Sequence, residues 1–361
     1  MMKMTIPSTK ILMVGPDLGG QGGISRVMRI YADNGIFDAN HIKYISSTCD
    51  NAHVKLFCLL LSITKFSVAC MFSQSKVYIH TSSFNSFYRK SIYIFISILL
   101  SKNIILHIHP THFFDFINGL HGLKKKFVFY ILKRINAYIV LTESMKQRLL
   151  KNFPEKFIYT LNNPVDINRM LNVHSCKRLS HNIVYLGWYI KEKGVYELVD
   201  AIGILRQRGV NVHLDFFGTK EVYKLTHYVN HNGLAEFIDV HGWIDDSEKI
   251  DALYRSTMLI LPSHTEGLPN VILEAMATNT PIISTFVGGL KDILKDGHNC
   301  IIANVGDPED LSNKIQMCLE HPELLRSISK NAYEEAKLHY DISFIGKNFS
   351  SIIHELNLLL H

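Results

Sequence analysis

The densest run of chemically capable side chains is Ser263-His264-Thr265-Glu266-Gly267-Leu268-Pro269-Asn270-Val271-Ile272-Leu273-Glu274. The apolar run MLILP ends in this polar loop, which leads into an expected helix near Pro269, a residue suited to a first helical turn. Glu266 precedes that helix and Glu274 lies within it. Carboxylates only accept hydrogen bonds, so one suits the hydroxyls of a sugar at the loop and the other those of a ribose deeper in. Acids placed at a helix start for its dipole explain one glutamate but not the whole loop. A second run, Gly187-Trp188-Tyr189-Ile190-Lys191-Glu192-Lys193-Gly194, has the same strand, loop and helix-start form. Lys193 there stands beside a helix N-terminus, where an ammonium can neutralise a diphosphate.

Two further runs lie nearer the N-terminus. GPDLGGQGGISR holds Gly15, Gly19, Gly20, Gly22 and Gly23 ahead of an expected helix. Glycines let the backbone approach a phosphate at such a helix start. No G-x-G-x-x-G passes through them, and a plain flexible turn fits the same residues. His107-Ile108-His109-Pro110-Thr111-His112 ends an apolar run and invites a metal reading, because imidazole is a common zinc ligand. Matching carboxylates or further histidines at other strand ends are not evident, and Thr111 stands where a metallo-hydrolase has Asp. The expectation is no metal, with His109 meeting a polar substrate at the strand end and His107 the better fit to a satisfied core histidine.

These runs must be positioned by elements that alternate along the chain. Apolar runs at 10–15, 42–46, 76–81, 103–109, 137–142 and 157–161, and again at 182–187, 211–218, 237–242, 258–262, 281–285 and 300–304, are expected strands. Helical segments are expected at 24–34, 54–72, 85–101, 121–135, 143–152, 194–208, 245–255, 270–278 and 308–320. Such alternation predicts parallel sheets covered on both faces, with ligands at the carboxyl ends of the strands. Asn162-Asn163-Pro164 reads as a linker between two halves.

At 361 residues with 47% hydrophobic and 19% charged side chains, the chain has material for two packed cores and no disorder signature. Six scattered cysteines (Cys49, Cys58, Cys70, Cys176, Cys300, Cys318) favour a reducing compartment, and the N-terminus lacks the apolar core of a signal peptide. A cytoplasmic protein is therefore expected. Residues 1–166 hold 20 Lys/Arg against 8 Asp/Glu, whereas 167–361 hold 18 against 24. The basic half implies an anionic partner, or only a solvated surface. Val54 to Phe72 is interrupted by Lys55 and Lys65, and SIYIFISILLS stops at Lys102, so no membrane span is expected. Lys124, Lys125, Lys126, Lys133 and Arg134 among Phe127, Phe129, Tyr130 and Leu132 fit an interfacial helix or a core-facing helix with a solvated basic face.

Taken together these residues resemble the retaining GT-B glycosyltransferases of the group 1 type, the family of bacterial lipopolysaccharide mannosyltransferases and sucrose synthase. The resemblance spans nearly the whole chain and is clearest from Ile183 to Asp310. It implies an α/β fold of two Rossmann-like domains facing each other across a cleft: an acceptor-side domain at 1–163, a nucleotide-sugar domain at 164–341, and a helix at 342–361 crossing back to the first. The E-x7-E element is Glu266 to Glu274, followed by AMATNTPIISTFVGG. By analogy Glu266 holds the donor sugar with the amides of Gly267, Leu268, Pro269 and Asn270, Glu274 binds the ribose, and Lys193 binds phosphate. Gly22 and Gly23 match the diphosphate-facing pair, and His109 the histidine near the anomeric centre. Trp188 departs from the family's Gly-Arg, with Lys191 a candidate replacement cation; Pro110 and Cys300 also depart.

The resemblance implies transfer of a hexose to a glycan or polyprenyl-diphosphate-linked acceptor in surface polysaccharide synthesis, with the sugar nucleotide as co-substrate and no cofactor. No Asp-x-Asp is present to carry a metal. An anionic membrane surface is a partner to consider; nucleic acid is not. The competing readings are a non-catalytic homologue that binds sugar nucleotides, another enzyme of the same fold such as an epimerase or phosphorylase, and a bilobal binding protein.

Overall fold

The computed structural model describes residues 10–48, 54–73, 75–82, 84–110, 112–171 and 179–360. The N-terminal stretch before residue 10, Cys49, Thr111 and Cys176 lie outside the described residues. The chain forms two compact units, Met1–Pro164 with Ile342–His361, and Val165–Asp341.

In chain order the first unit runs β1 (Ile11–Gly15), α1 (Gly23–Asp33), α2 (Ile36–Ala39), β2 (Ile42–Ser46), α3 (Lys55–Phe72), β3 (Lys76–Thr81) and α4 (Asn85–Leu99). It continues with β4 (Ile104–Ile108), α5 (Phe113–Asn118), α6 (Gly122–Lys133), β5 (Ala137–Val140), α7 (Glu143–Leu150) and β6 (Phe157–Thr160). The second unit opens with α8 (Ile167–Leu171), β7 (Asn182–Tyr189), α9 (Val195–Gln207), β8 (His213–Lys220), α10 (Val222–His231), β9 (Ile238–His241) and α11 (Asp246–Arg255). It closes with β10 (Met258–Leu261), α12 (Asn270–Ala277), β11 (Ile282–Thr285), β12 (Ile301–Ala303), α13 (Pro308–Glu320) and α14 (Pro322–His339). α15 (Ile342–Leu359) returns to the first unit.

Every expected strand forms, with ends displaced by no more than two residues. The reason is burial on both faces: β1, β4, β5, β10 and β11 are buried at every position, so each reads as a continuous apolar run. All pairing between strands is parallel, in the orders β2-β1-β3-β4-β5-β6 and β12-β11-β10-β7-β8-β9. Side-chain N-caps stand at Thr142 on α7, Asp245 on α11 and Asp307 on α13, and Asp245 with Glu248 forms a reciprocal capping box.

The helix expected at 54–72 forms as α3, but Lys55 and Lys65 do not break its apolar length: Lys55–Phe72 is long and apolar enough by length and composition to cross a membrane, with 17% of it buried. A lysine is a good helix former and costs the helix nothing when it points to the outside.

One face of the first sheet is closed by α1 and α15. Ile345, Phe349, Ile353 and Leu356 pack with Ile11, Met13, Tyr31, Tyr78, Ile105 and Ile139. The Phe349 ring lies 5.3 Å from that of Tyr31 and 5.9 Å from that of Tyr78. Asn40 donates to Ser350 Oγ at 3.0 Å and Tyr159 to Glu355 Oε1 at 2.7 Å, which fixes the register of α15. Truncating the fully buried Phe349 to alanine removes this keystone; we expect a loss of about 3–5 kcal/mol in denaturant unfolding of the first unit. A loss below about 1 kcal/mol would mean that α15 is not part of that core.

Candidate functional site

In the second unit the chain winds outward from β7 through β8 to β9, then returns to place β10 on the other side of β7. The loops leaving β7 and β10 diverge there, which is where ligands of open parallel sheets bind. The β7 loop makes a short 3-10 turn, Lys191–Lys193, before Gly194; the β10 loop carries Ser263 and Glu266. Lys193 Nζ lies 2.6 Å from Glu266 Oε1, and Ser263 Oγ donates to the same oxygen at 2.7 Å. Glu266 is 7% exposed, so its carboxylate needs such partners.

The two loops are locked together by backbone fit. Gly194 sits at φ +68°, and a Cβ there would stand 2.1 Å from the carbonyl oxygen of Pro262. His264 N donates to Glu192 O at 2.9 Å, and its Nε2 is 2.8 Å from Glu197 Oε1. Gly289 N reaches Glu266 O at 3.2 Å from a third loop. Tyr185 lies beneath: burial raises its phenol pKa well above the ordinary value, the Glu266 charge adding to the effect.

α12 begins at Asn270, where the helix at 270–278 was expected to start, but Pro269 is not part of its first turn. Pro269 precedes it as an N-cap with extended backbone, because a cap residue lies outside the helical φ/ψ region. Glu274 is buried in α12, and its Oε1 is 2.6 Å from Lys249 Nζ. Lys249 is also 3.6 Å from Asp246 Oδ1, whose partner oxygen lies 3.3 Å from Arg169 Nη2. Leu268 turns into the core while Gly267, Pro269 and Asn270 remain half-buried. At the Trp188 departure the indole is exposed and Lys220 lies over it, 5.1 Å from the ring centroid. Strands β7 and β8 pair Trp188 with Thr219, so Lys220 rather than Lys191 is the cation beside the indole. Lys249 and Lys220 carried no signal in the sequence, because their partners are fixed by the packing of α11 and α12 and by the β7–β8 register; Ser263 stood in the expected loop, three residues from Glu266, without an assigned role.

In the first unit the glycine-rich turn after β1 is held from several sides. Arg29 donates to Leu18 O at 3.0 Å and to Gly20 O at 3.3 Å, and buried Lys90 donates to Gly15 O at 3.2 Å. Gly22 is the extended N-cap of α1, and with Gly23 it is exposed. His109 follows β4, is buried, and stacks on His107 with ring centroids 4.1 Å apart. The expectation that no further histidine stands at a matching strand end is corrected by His80. β3 and β4 pair His80 with His107, and His80 Nδ1 lies 2.9 Å from His109 Nε2. Tyr78 Oη is 2.9 Å from His107 Nδ1. Burial pushes the His109 pKa down to about 3 and holds His80 and His107 well below the usual range.

Two groups among the described residues have spacing that could hold a metal: buried His80, His107 and His109, and half-buried His213 and Asp215 with exposed Asp239. The first offers neutral imidazoles but no carboxylate, and two of its ring nitrogens bond to each other. The second is engaged in a surface network, with His213 3.0 Å from Asp239 and His241 3.0 Å from Asp215.

Residues 178–335 match the family model for glycosyl transferases group 1. The chain is 27% identical over 244 residues to an uncharacterized glycosyltransferase of Methanocaldococcus jannaschii, a match covering 67% of this chain and 66% of that protein. It is 25% identical over 247 residues to the capsular polysaccharide biosynthesis glycosyltransferase CapM of Staphylococcus aureus, covering 63% of this chain and 65% of that protein. The chain thus spans about two thirds of the length of these relatives. Among solved structures, sucrose-phosphate synthase of Thermosynechococcus elongatus superposes with a TM-score of 0.77 at 16% identity, over 97% of this chain and all (100%) of that one. Anabaena HepE with UDP and glucose superposes at 0.74 and 16% identity, over 96% of this chain and 100% of the other. The fold of the chain is GT-B.

The histidine cluster has a pH signature. Imidazoles held neutral when folded bind protons on unfolding, so their contribution is intact above about pH 6.5 and is lost as the medium acidifies towards pH 3. We expect stability to fall between pH 7 and pH 5, by at most about 1.4 kcal/mol per pH unit for each histidine. The fall should be shallower in His80→Asn/His109→Asn, while the His109 imidazole stays neutral by NMR at pH 5. A protonated His109 at pH 5 would contradict the burial argument.

Proposed function

We propose, on the premise that residues 178–335 are a group 1 glycosyl transferase domain, that the chain is a retaining hexosyltransferase acting from a nucleotide diphosphate sugar. Its acceptor in this reading is a glycan or a polyprenyl-diphosphate-linked saccharide of bacterial surface polysaccharide synthesis, as the naming of CapM suggests. The observation that carries it is the Lys193–Glu266–Ser263 cluster between β7 and β10. A sugar hydroxyl and a diphosphate complement these two charges: the hydroxyl donates to Glu266 while the ammonium turns to phosphate. One ion pair is then exchanged for two charge-assisted contacts.

Glu274 on α12 is assigned to the ribose hydroxyls, with Lys249 orienting its carboxylate. Gly267, Leu268, Pro269 and Asn270 offer backbone to the sugar at the start of that helix. Gly22 and Gly23 leave the first unit's backbone bare for phosphate, and His109 serves the anomeric region through a neutral imidazole. In the transfer, the acceptor oxygen bonds to the anomeric carbon on the face from which the diphosphate departs. The anomeric carbon–oxygen bond breaks, and the acceptor proton passes to the leaving phosphate oxygen. Lys193 and helix-terminal amides stabilise the growing phosphate charge, usually the largest single contribution to such catalysis. No metal is assigned to this step. The assigned place is the cytoplasmic side of a membrane.

The test is nucleotide release without acceptor, screened over UDP-, GDP- and ADP-sugars, with UDP-sugars first. Release from one donor should fall by about 10²-fold in Glu266→Ala, because the sugar loses its positioning. It should persist in EDTA; loss restored by manganese would contradict the metal-free assignment. Release by Glu266→Ala within about twofold of the unmodified protein would remove that residue from the site. A second reading, a sugar-nucleotide-binding homologue without turnover, is favoured by Trp188 standing exposed where the family has a cation. A nucleotide-induced thermal shift with no release from any donor would select it.

A further inference from the structure

α3 is amphipathic the wrong way round for a helix facing water. Its inward stripe is Ser62, Phe66 and Cys70, and its outward face is Leu56, Phe57, Leu60, Val68, Met71 and Phe72. Phe57 is 67% exposed and Phe72 85%. The neighbouring helices repeat the pattern, because α3 packs beside α4 and α4 beside α6. α4 turns Ile92, Phe95 and Leu99 outward, and α6 turns Leu123, Phe127 and Tyr130 outward. A contiguous apolar face of this size marks an interaction site.

The charge around this face selects its partner. Between Asp50 and Glu143 the sole acid is Asp115, whereas Val54 to Arg134 contains 11 Lys/Arg. Lys55, Lys65, Lys124, Lys125, Lys126 and Lys133 are all exposed. A second copy of the chain would bring two such basic faces together at a cost in repulsion. An anionic lipid leaflet offers the opposite charge and an apolar interior. α3 does not stand upright in it: Ser62 Oγ lies 2.8 Å from Tyr93 Oη, and the Phe66 and Tyr93 rings meet edge to face at 5.2 Å, so the helix lies along the body of the unit.

We propose that the α3–α4–α6 face docks on an anionic membrane, with α3 lying in the plane of the leaflet and its outward apolar stripe immersed. The lysines of α6 meet the headgroups. A cavity of about 1000 Å³ between α3 and β2 joins Leu61, Val68 and Phe72 to Tyr44 and to Asp17 of the glycine-rich turn. An apolar chain carried in the leaflet thus has a wall on α3 that leads to that turn. This deepens the reading above by naming the surface on which its acceptor is met. Docking is measured without any sugar nucleotide, so the two fail separately.

The experiment is flotation of the full chain with vesicles of phosphatidylcholine alone or with phosphatidylglycerol added, at physiological salt. We expect binding to the anionic vesicles only, weakened about tenfold or more by Lys124→Glu/Lys125→Glu/Lys126→Glu and by Phe57→Ser/Met71→Ser. Both sets of side chains are exposed, so melting should stay that of the unmodified protein. Phe57→Trp should add emission that shifts to the blue on anionic vesicles. Failure to float with anionic vesicles, equal binding to neutral ones, or an unshifted tryptophan overturns the proposal. So does a stable dimer that Phe57→Ser/Met71→Ser dissociates.

Discussion

Burying the carboxylate of Glu266 requires a partner, and much of the second unit is arranged to supply it. Lys193 reaches Glu266 because the chain after β7 makes a single 3-10 turn and then reverses at Gly194. That reversal needs a residue that tolerates φ +68° and has no Cβ to strike Pro262. Pro262 follows β10, which adjoins β7 only because the sheet order doubles back. Strand order, a glycine and a proline therefore lie behind one 2.6 Å contact. The buried Glu274–Lys249 pair repeats the solution farther along the same loop and helix.

The strands were legible because parallel strands buried on both faces leave uninterrupted apolar runs, as NIVYLG and MLILP do. Glu266 and Lys193 were legible as chemistry because each follows such a run in a polar loop beside a helix start, and Glu274 because it lies inside the helix that the Glu266 loop enters. What stayed hidden depends on neighbours far off in the chain. Lys249 looks like any surface lysine of α11 until α12 packs against it, and His80 becomes a partner of His109 only through the β3–β4 register. α10 and α14 were passed over because their polar residues dilute the apolar spacing, and much of α14's buried stripe is small: Ser329, Ala332 and Ala336. The lysines of α3 were over-read as ending its membrane-length apolar stretch; two charges within such a run say which way it faces and leave its length and composition those of a span.

The first unit finishes the two faces of its sheet in different ways. On one, α1 and α15 bring aromatic and aliphatic side chains together into an ordinary dry core. On the other, α3 turns Ser62, Phe66 and Cys70 inward and keeps most of its large apolar residues outside. Between the two, at the ends of β3 and β4, three imidazoles share a buried space in which none gains by taking a proton.

The chain enters and leaves the second unit at adjoining points. Val165 pairs with Asp341 in a parallel bridge, Val165 N donates to Tyr340 O at 2.8 Å, and Ile167 N to Asp341 Oδ1 at 3.2 Å. During synthesis this reverses the usual order of completion. The unit made first must wait on the ribosome with the α1 side of its sheet uncovered while the unit made second emerges and can close. Only when α15 follows does the earlier unit receive its last layer, so a chain stopped near residue 341 would hold one finished body and one left open to solvent or to a chaperone.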